Sequence, residues 1–269
     1  MLSLSSCTSI GATSPAQPQE AEFVARGVLT IGTDPTYPPQ EFIQPDGAVS
    51  GFDVDLARGI AARLGRRLRV VPTPSRDLLT DLFARRVDAV VSAMTTGGDR
   101  NYGARFVPYL KVTAAFVSTA ESTQRPRRPE QLCGLRVGVL QNSAQAETVR
   151  GLSVPGMSCH DRPVREVALP SLSAAVDQLK AGACDVLYVD GPPALALGHA
   201  RRDLYVTIDG DPNRQAVTAV ALRRQDDALK SQITIAFASI RADGSYRALL
   251  ARWGLEVEDI DRPTDPLAS

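Results

Sequence analysis

Short apolar runs alternate along this chain with longer stretches whose apolar residues recur every third or fourth position. The first run, Val28 to Thr33 (VLTIGT), has the length and composition of a buried strand. The turn-rich DPTYPP follows, then an extended piece at Glu41 to Ile43 and a PDG turn at Pro45 to Gly47. Leu56, Ile60 and Leu64 stand at four-residue spacing and predict an amphipathic helix over Asp53 to Leu64, stopped by Gly65. Leu68 to Val71 predicts a second strand, and Leu78, Leu79, Leu82 and Phe83 a second helix capped by Ser75 or Asp77. Val87 to Ala93 then reads as a strand that breaks into Thr95, Thr96, Gly97 and Gly98, with a helix start at Asp99 and Arg100. Strands alternating with helices predict an α/β fold with a largely parallel sheet.

The pattern repeats. After a long apolar and β-branched segment, Leu110 to Thr119, and the polar connector ESTQRPRRPEQ, a second α/β unit begins. Its expected elements are a strand at Leu135 to Leu140, helices at Ser143 to Arg150 and Leu172 to Ala181, and a strand at Cys184 to Asp190. Gly191-Pro192-Pro193 then opens a helix. Leu82-x-Ala84-x3-Asp88-Ala89-Val90 matches Leu179-x-Ala181-x3-Asp185-Val186-Leu187, and Thr30-Ile31-Gly32 matches Arg136-Val137-Gly138, in the same order. Two similarly built lobes follow from this. Ala216 to Leu222 is a β-like run, and the expected helices at Asp226 to Ala242 and Ser245 to Trp253 return to the first lobe.

A buried strand, a small-residue turn and a helix start present backbone N–H groups to an anion. A cation in a first helical turn opposes the dipole. Arg100 therefore has two readings: a guanidinium sharing an anionic ligand with those amides, or a surface arginine paired with Asp99. In the internal register, Ala93 at the end of one strand corresponds to Asp190 at the end of the other. Ligands of parallel α/β sheets sit beyond the carboxyl ends of the strands. Facing lobes would bring Arg100 and Asp190 to one cleft.

The length of 269 residues suits two lobes, and an apolar share of 43% suits a packed core. Formal net charge is zero and aromatics are sparse, which argues against nucleic acid as a partner. Leu4-Ser5-Ser6-Cys7 resembles the bacterial lipobox, in which the cysteine is lipidated, and Thr8 to Glu20 has the composition of a flexible tether. Residues 1–22 are expected to be a signal-peptide remnant, lipobox and tether, and 263–269 a tail. Cys133 and Cys159 lie in loop-like surroundings and are disulfide candidates in an exported protein, while Cys184 reads as a buried free thiol. No Cys/His cluster has metal-ligand spacing, and no cofactor is expected.

Several ordered motifs, LTIGTDPTYPPQEF, GFDVDLARGIAARLG, DAVVSAMTTGGDR, VGVLQNSAQ and ADGSYRALLARWGL, resemble the polar-amino-acid family (family 3) of bacterial extracellular solute-binding proteins over nearly all of Val28 to Leu255. These receptors deliver amino acids to ABC importers. The resemblance implies a two-lobed, venus-flytrap fold of type II, with hinge crossings near Val112 to Ala114 and Asn213 to Ala219. The implied lobes are 23–112 with 214–262, and 113–213. It implies that Arg100 clamps an α-carboxylate with help from backbone amides at Ala93 and Thr95, and that Asp190 receives the α-ammonium. Asp34 and Tyr37 would line the side-chain pocket from one lobe, and Ser143 and Ala144 from the other.

Departures bear on specificity. Ser75, beside Arg76, stands where relatives often carry a stacking aromatic, Gln40 stands at a second aromatic position, and Ala144 replaces a common hydroxyl. Ser75 would thus border a more open or polar pocket. Asp34 hints at a cationic or amide side chain, which an inward Arg76 would reverse. Plainer readings stand beside these: Asp190 as a helix cap, Tyr37 packed on Pro38 and Pro39, Asp34 as an Asx-turn residue, Asp53 and Asp55 as a helix start facing solvent, and Trp253 as a packing residue. The expected protein is an extracytoplasmic, lipid-anchored monomer that binds an amino acid for permease subunits of an ABC transporter and is not an enzyme. The alternatives are a periplasmic dehydratase on the same fold, or a ligand-sensing surface lipoprotein. His160 and His199 lie away from the presumed cleft, and no nucleophile–base arrangement is visible.

Overall fold

The computed structural model describes residues 21–96, 103–141, 143–211 and 214–262. Cys7 and Arg100 lie outside the described residues. In chain order the elements begin with β1 (Val28–Thr33), β2 (Thr36–Tyr37), β3 (Glu41–Ile43), β4 (Val49–Ser50), α1 (Phe52–Arg63), β5 (Arg67–Pro72) and α2 (Leu78–Phe83). There follow β6 (Ala89–Val90), β7 (Ala104–Val112), β8 (Ala114–Thr119), β9 (Arg136–Leu140), α3 (Ala144–Leu152), β10 (Arg165–Leu169) and α4 (Leu172–Lys180). The chain continues through β11 (Val186–Asp190), α5 (Gly191–Ala200), β12 (Leu204–Ile208), β13 (Ala216–Arg223), α6 (Asp227–Ala242) and α7 (Ser245–Trp253).

Two five-stranded sheets carry the two lobes, in the orders β5-β1-β6-β13-β7 and β10-β9-β11-β8-β12. In each, the first three strands are parallel, and an antiparallel pair completes the sheet. The chain passes between sheets twice: at Thr113, between β7 and β8, and across 209–215, between β12 and β13. One core packs Ile31, Phe52, Leu56 and Ile60 with Ile233, Phe237 and Ile240, so α1 and α6 cover the first sheet. The second sheet has a core on each face, one around Val137, Val149 and Tyr188 and one around Val117, Leu179 and Leu187.

The internal repeat is structural. Asp88 accepts the Thr30 amide at 2.7 Å in the first lobe, and Asp185 accepts the equivalent Arg136 amide at 2.8 Å in the second. Each aspartate ties the start of its strand to a parallel neighbour.

Three local expectations are corrected. The strand expected over Val87 to Ala93 is only Ala89–Val90. The buried Arg223 takes the Leu82 and Val87 carbonyls at 3.0 and 2.6 Å, so Val87 O is spent before the ladder begins. Ala93, at φ +42°, turns the chain out of the sheet. The segment Leu110 to Thr119 is two strands in different sheets, divided at Thr113. Strands β10 and β12 were not expected from the pattern; both are sheet edges.

Cys133 and Cys159 form the expected disulfide, with Cα atoms 5.0 Å apart, and Cys184 is a buried free thiol. The bridge fastens the 3-10 turn Pro129–Leu132 to the loop after α3. Replacing both cysteines by serine is expected to lower unfolding stability by about 3 kcal/mol, the loop-closure contribution of a bridge of this span, in denaturant titrations. An unchanged midpoint, or two free thiols in non-reduced peptide maps of exported protein, would contradict the bridge.

Candidate functional site

The turn before α1 arranges one wall of a cleft. Gly51 has φ +136°, and any Cβ there would collide with the Gln40 carbonyl. That close approach lets the Phe52 and Asp53 amides donate to the Pro39 and Gln40 carbonyls at 3.0 and 2.9 Å. The first amides of α1 are thereby satisfied by backbone, not by a side-chain cap. Asp53 is freed to turn inward.

Asp53 is wholly buried, which corrects the solvent-facing reading. Its Oδ2 accepts the Ala93 amide at 2.8 Å and the Tyr109 hydroxyl at 2.5 Å. Asp55 does not point freely to solvent either: Arg58, Arg252 and the Trp253 indole N–H converge on it. Because the Ala93 N–H is held by Asp53, it cannot also clamp a ligand carboxylate, and that expected role of Ala93 is corrected. What Asp53 does is hold Ala93 in its left-handed conformation at the cleft wall.

Glu41 lies beside Asp53 and is also buried. Burial, reinforced by the Asp53 charge, pushes Glu41 up to about 11. Burial likewise raises Asp53, against the hydrogen bonds from Ala93 and Tyr109 that lower it. Two buried carboxyls so placed favour a single negative charge between them, with Glu41 the group raised furthest by burial and by its neighbour. Glu41 also accepts from Ser92 at 3.2 Å, and Ser92 Oγ in turn accepts the Asp34 amide at 2.9 Å. A continuous polar chain thus runs from the core to Asp34.

The cleft is a cavity of about 540 Å³ between the two sheets, within the size range of small-molecule sites. Asp34, Tyr37, Ser75, Ala93, Thr95, Ala144 and Asp190 all line it. Ser143 does not: it is the N-cap of α3, and its Oγ accepts the Ala146 amide at 3.1 Å, so the expected contact from Ser143 is corrected. Asp34 makes the Asx-type contact with the Thr36 hydroxyl at 3.0 Å and also accepts the Ser75 amide at 2.8 Å. The turn and cleft readings of Asp34 therefore both hold. Arg76 is 83% exposed and pairs with Asp77, so it does not enter the cavity.

Asp190 joins the lobes. The Tyr37 hydroxyl donates to its Oδ2 at 2.6 Å from the first lobe. Gln145 Nε2 donates to Oδ1 at 2.8 Å from α3 of the second. Burial, with the Asp190 charge adding to it, raises the Tyr37 phenol well above its ordinary value and keeps it a donor. As the residue before α5, Asp190 makes no side-chain cap, which removes the plain capping reading. Neither Asp190 nor Asp34 has an Arg or Lys partner among the described residues. Arg214, at the second crossing, also lines the cavity, but it is neutralised by Asp211 and Glu130 at 2.8 and 2.9 Å.

Gln145, Glu41, Ser92 and Arg214 were not singled out from sequence. Gln145 had a signal, one position after Ala144 in VGVLQNSAQ; burial of Glu41 had none. Neither His160 nor His199 lines the cavity.

Glu41 sets a pH dependence. The folded protein keeps a proton that the unfolded chain releases above the ordinary value of 4.5. Stability therefore falls as pH rises from there toward 11. Glu41→Gln is expected to remove this slope, about 1.4 kcal/mol per pH unit, in unfolding titrations between about pH 8 and 10. The same slope in the variant would show that Glu41 carries no proton.

The comparisons with known proteins agree with this geometry. A family model for bacterial extracellular solute-binding proteins, family 3, matches residues 29–256. The arginine-binding protein ArgT of Corynebacterium glutamicum is 29% identical over 234 residues, 86% of this chain and 75% of that protein. The histidine-binding periplasmic protein of Escherichia coli is 27% identical over 232 residues, 84% of this chain and 86% of that protein. Among solved structures, an ancestral cationic amino acid solute-binding protein superposes with a TM-score of 0.73 at 23% identity, covering 86% of this chain and 97% of that one, which shows the shared two-lobed fold.

Proposed function

Because the chain belongs to the bacterial extracellular solute-binding proteins of family 3, we propose that it binds a free amino acid with a polar or cationic side chain in the interlobe cleft, for delivery to an ABC importer. The carrying observation is Asp190: a carboxylate in the cleft that receives neutral donors from both lobes and no cation among the described residues. A ligand ammonium completes that ion pair. The α-carboxylate is assigned to Arg100, which lies outside the described residues. Asp34, a second carboxylate without a cationic partner among them, gives the cleft a negative field that suits a cationic side chain. Small Ser75 and Ala144 leave room for a long one. The names of the arginine- and histidine-binding relatives support the same reading.

The lobes are taken as 23–112 with 214–262, and 113–213, closing about the two crossings. The protein is read as a monomer held outside the cytoplasm by lipid on Cys7. It is read as a receptor and not an enzyme, since the cleft's carboxylates serve a zwitterion; turnover of a cyclic hydroxy acid would overturn this.

A thermal-shift screen against the common amino acids tests the proposal. A ligand at about 100 times its dissociation constant stabilises by roughly 2.7 kcal/mol, a visible shift. Arg100→Ala and Asp190→Asn are each expected to weaken that ligand about 100-fold or more. No shift with any amino acid, or full binding by either variant, would contradict the proposal.

A further inference from the structure

Behind the cleft, the end of the chain returns to the first crossing. After α7 a single 3-10 turn, Glu256–Glu258, places Glu258 in full burial. Its Oε2 accepts the Thr113 amide at 3.0 Å, and its Oε1 accepts the Thr113 hydroxyl at 2.8 Å. Thr113 is the one residue between β7 of the first sheet and β8 of the second. Its carbonyl accepts the Gly191 amide at 2.7 Å. Gly191 follows Asp190, and any Cβ on it would collide with the Glu258 carboxylate and with Thr113. The chain of contacts is therefore continuous: Glu258, Thr113, Gly191, Asp190. Helix α5 lies along the same segment, with Leu195 packed on the first-lobe core and the His199 ring against Gly254.

A carboxylate can accept both Thr113 hydrogen bonds, whereas a carboxylic acid has one oxygen turned into a donor. The Thr113 amide can only donate, and the Thr113 hydroxyl would have to turn from donor to acceptor to meet a protonated oxygen. Only the ionised Glu258 thus accepts from both Thr113 groups as they stand, and protonation forces one of the two bonds to reorganise. The charged and titratable groups facing it are Asp190 from the end of β11, Tyr37 from β2 and Arg262 from the following chain. Glu256 and Asp259 flank its own turn, and Lys111 of β7 holds the Arg262 carbonyl.

We propose that Glu258 is a positioning residue of the hinge, which clasps the first crossing at Thr113 and couples the state of that crossing to the charge on Asp190. The coupling rests on the reading of Asp190 as the ammonium site. Its sign follows from the charges. Asp190 and Glu258 repel, so a cation on Asp190 favours the ionised, gripping form of Glu258. Ligand binding then expels a proton, and affinity rises with pH across the Glu258 titration. Burial, with the Asp190 charge adding to it, raises Glu258 to about 7, inside the physiological range.

The decisive experiment is a titration of ligand-free protein by NMR, following the Glu258 carboxyl and the Thr113 amide. Both are expected to move together with a midpoint near 7. Asp190→Asn, which removes the like charge without any ligand, is expected to lower that midpoint by about half a unit. Glu258→Gln is expected to abolish the pH response of the Thr113 amide. If that variant does not fold, the wild type and Asp190→Asn still decide the matter. A midpoint in the ordinary carboxylate range, a Thr113 amide that does not follow Glu258, or an unmoved midpoint in Asp190→Asn would overturn the proposal. L-arginine added to the wild type is then expected to act as Asp190→Asn does, with affinity rising about three-fold across the titration. Binding of L-arginine with no change in the midpoint would refute the coupling. Absence of L-arginine binding alongside the expected ligand-free results would instead count against the ligand reading alone.

Discussion

The carboxylate of Asp190 is the point on which this molecule turns. It stands at the end of β11 and the start of α5, and it receives one neutral hydrogen bond from each lobe. Hydrogen bonds from a phenol and an amide give each oxygen one partner but leave its charge unmatched. An anion held this way favours whatever cation enters the cleft. The contact with Tyr37 also means that the same atoms that would bind the ligand bridge the lobes. In the proposed reading, closure and recognition are therefore one event, with energy available to closure only through differential contacts.

The opposite wall is held by buried acid groups that never meet solvent. Asp53 fixes Ala93 in a conformation that side chains other than glycine seldom adopt, and Glu41 keeps the pair to a single negative charge. Removing one partner of such a network leaves a buried group unsatisfied, which costs more than the hydrogen bond gained when it forms. The wall of the cleft is tied into the core for this reason.

Much of the fold was legible in the pattern. Helix α7 and strand β1 have the expected bounds, α4 and α6 differ from theirs by one residue at an end, and α1 is shifted by one residue at each end. Their apolar residues face one core each, so periodicity reports burial directly. Strands β10 and β12 escaped notice because edge strands carry mixed surfaces, as REVAL and LYVTI do. The repeat around Asp88 and Asp185 was visible as spacing, and its meaning emerged as the same hydrogen bond made twice. Of the expected cleft residues, Ser143 alone among those described lies outside the lining, its hydroxyl turned onto the Ala146 amide as the cap of α3. The burial of Glu41, Asp53 and Glu258 was not legible. Each looks like an ordinary surface acid along the chain, and only tertiary contacts from distant segments take it out of water.

The central claim is that Asp190 recognises an ammonium within a zwitterion. Calorimetric titration of the wild type with the amino acid that stabilises it most, and with the same molecule lacking its α-amino group, tests this most directly. The account predicts that loss of the amino group weakens binding by about 100-fold or more, since it leaves the Asp190 charge unpaired in a closing cleft. Equal affinity for the two compounds would contradict it.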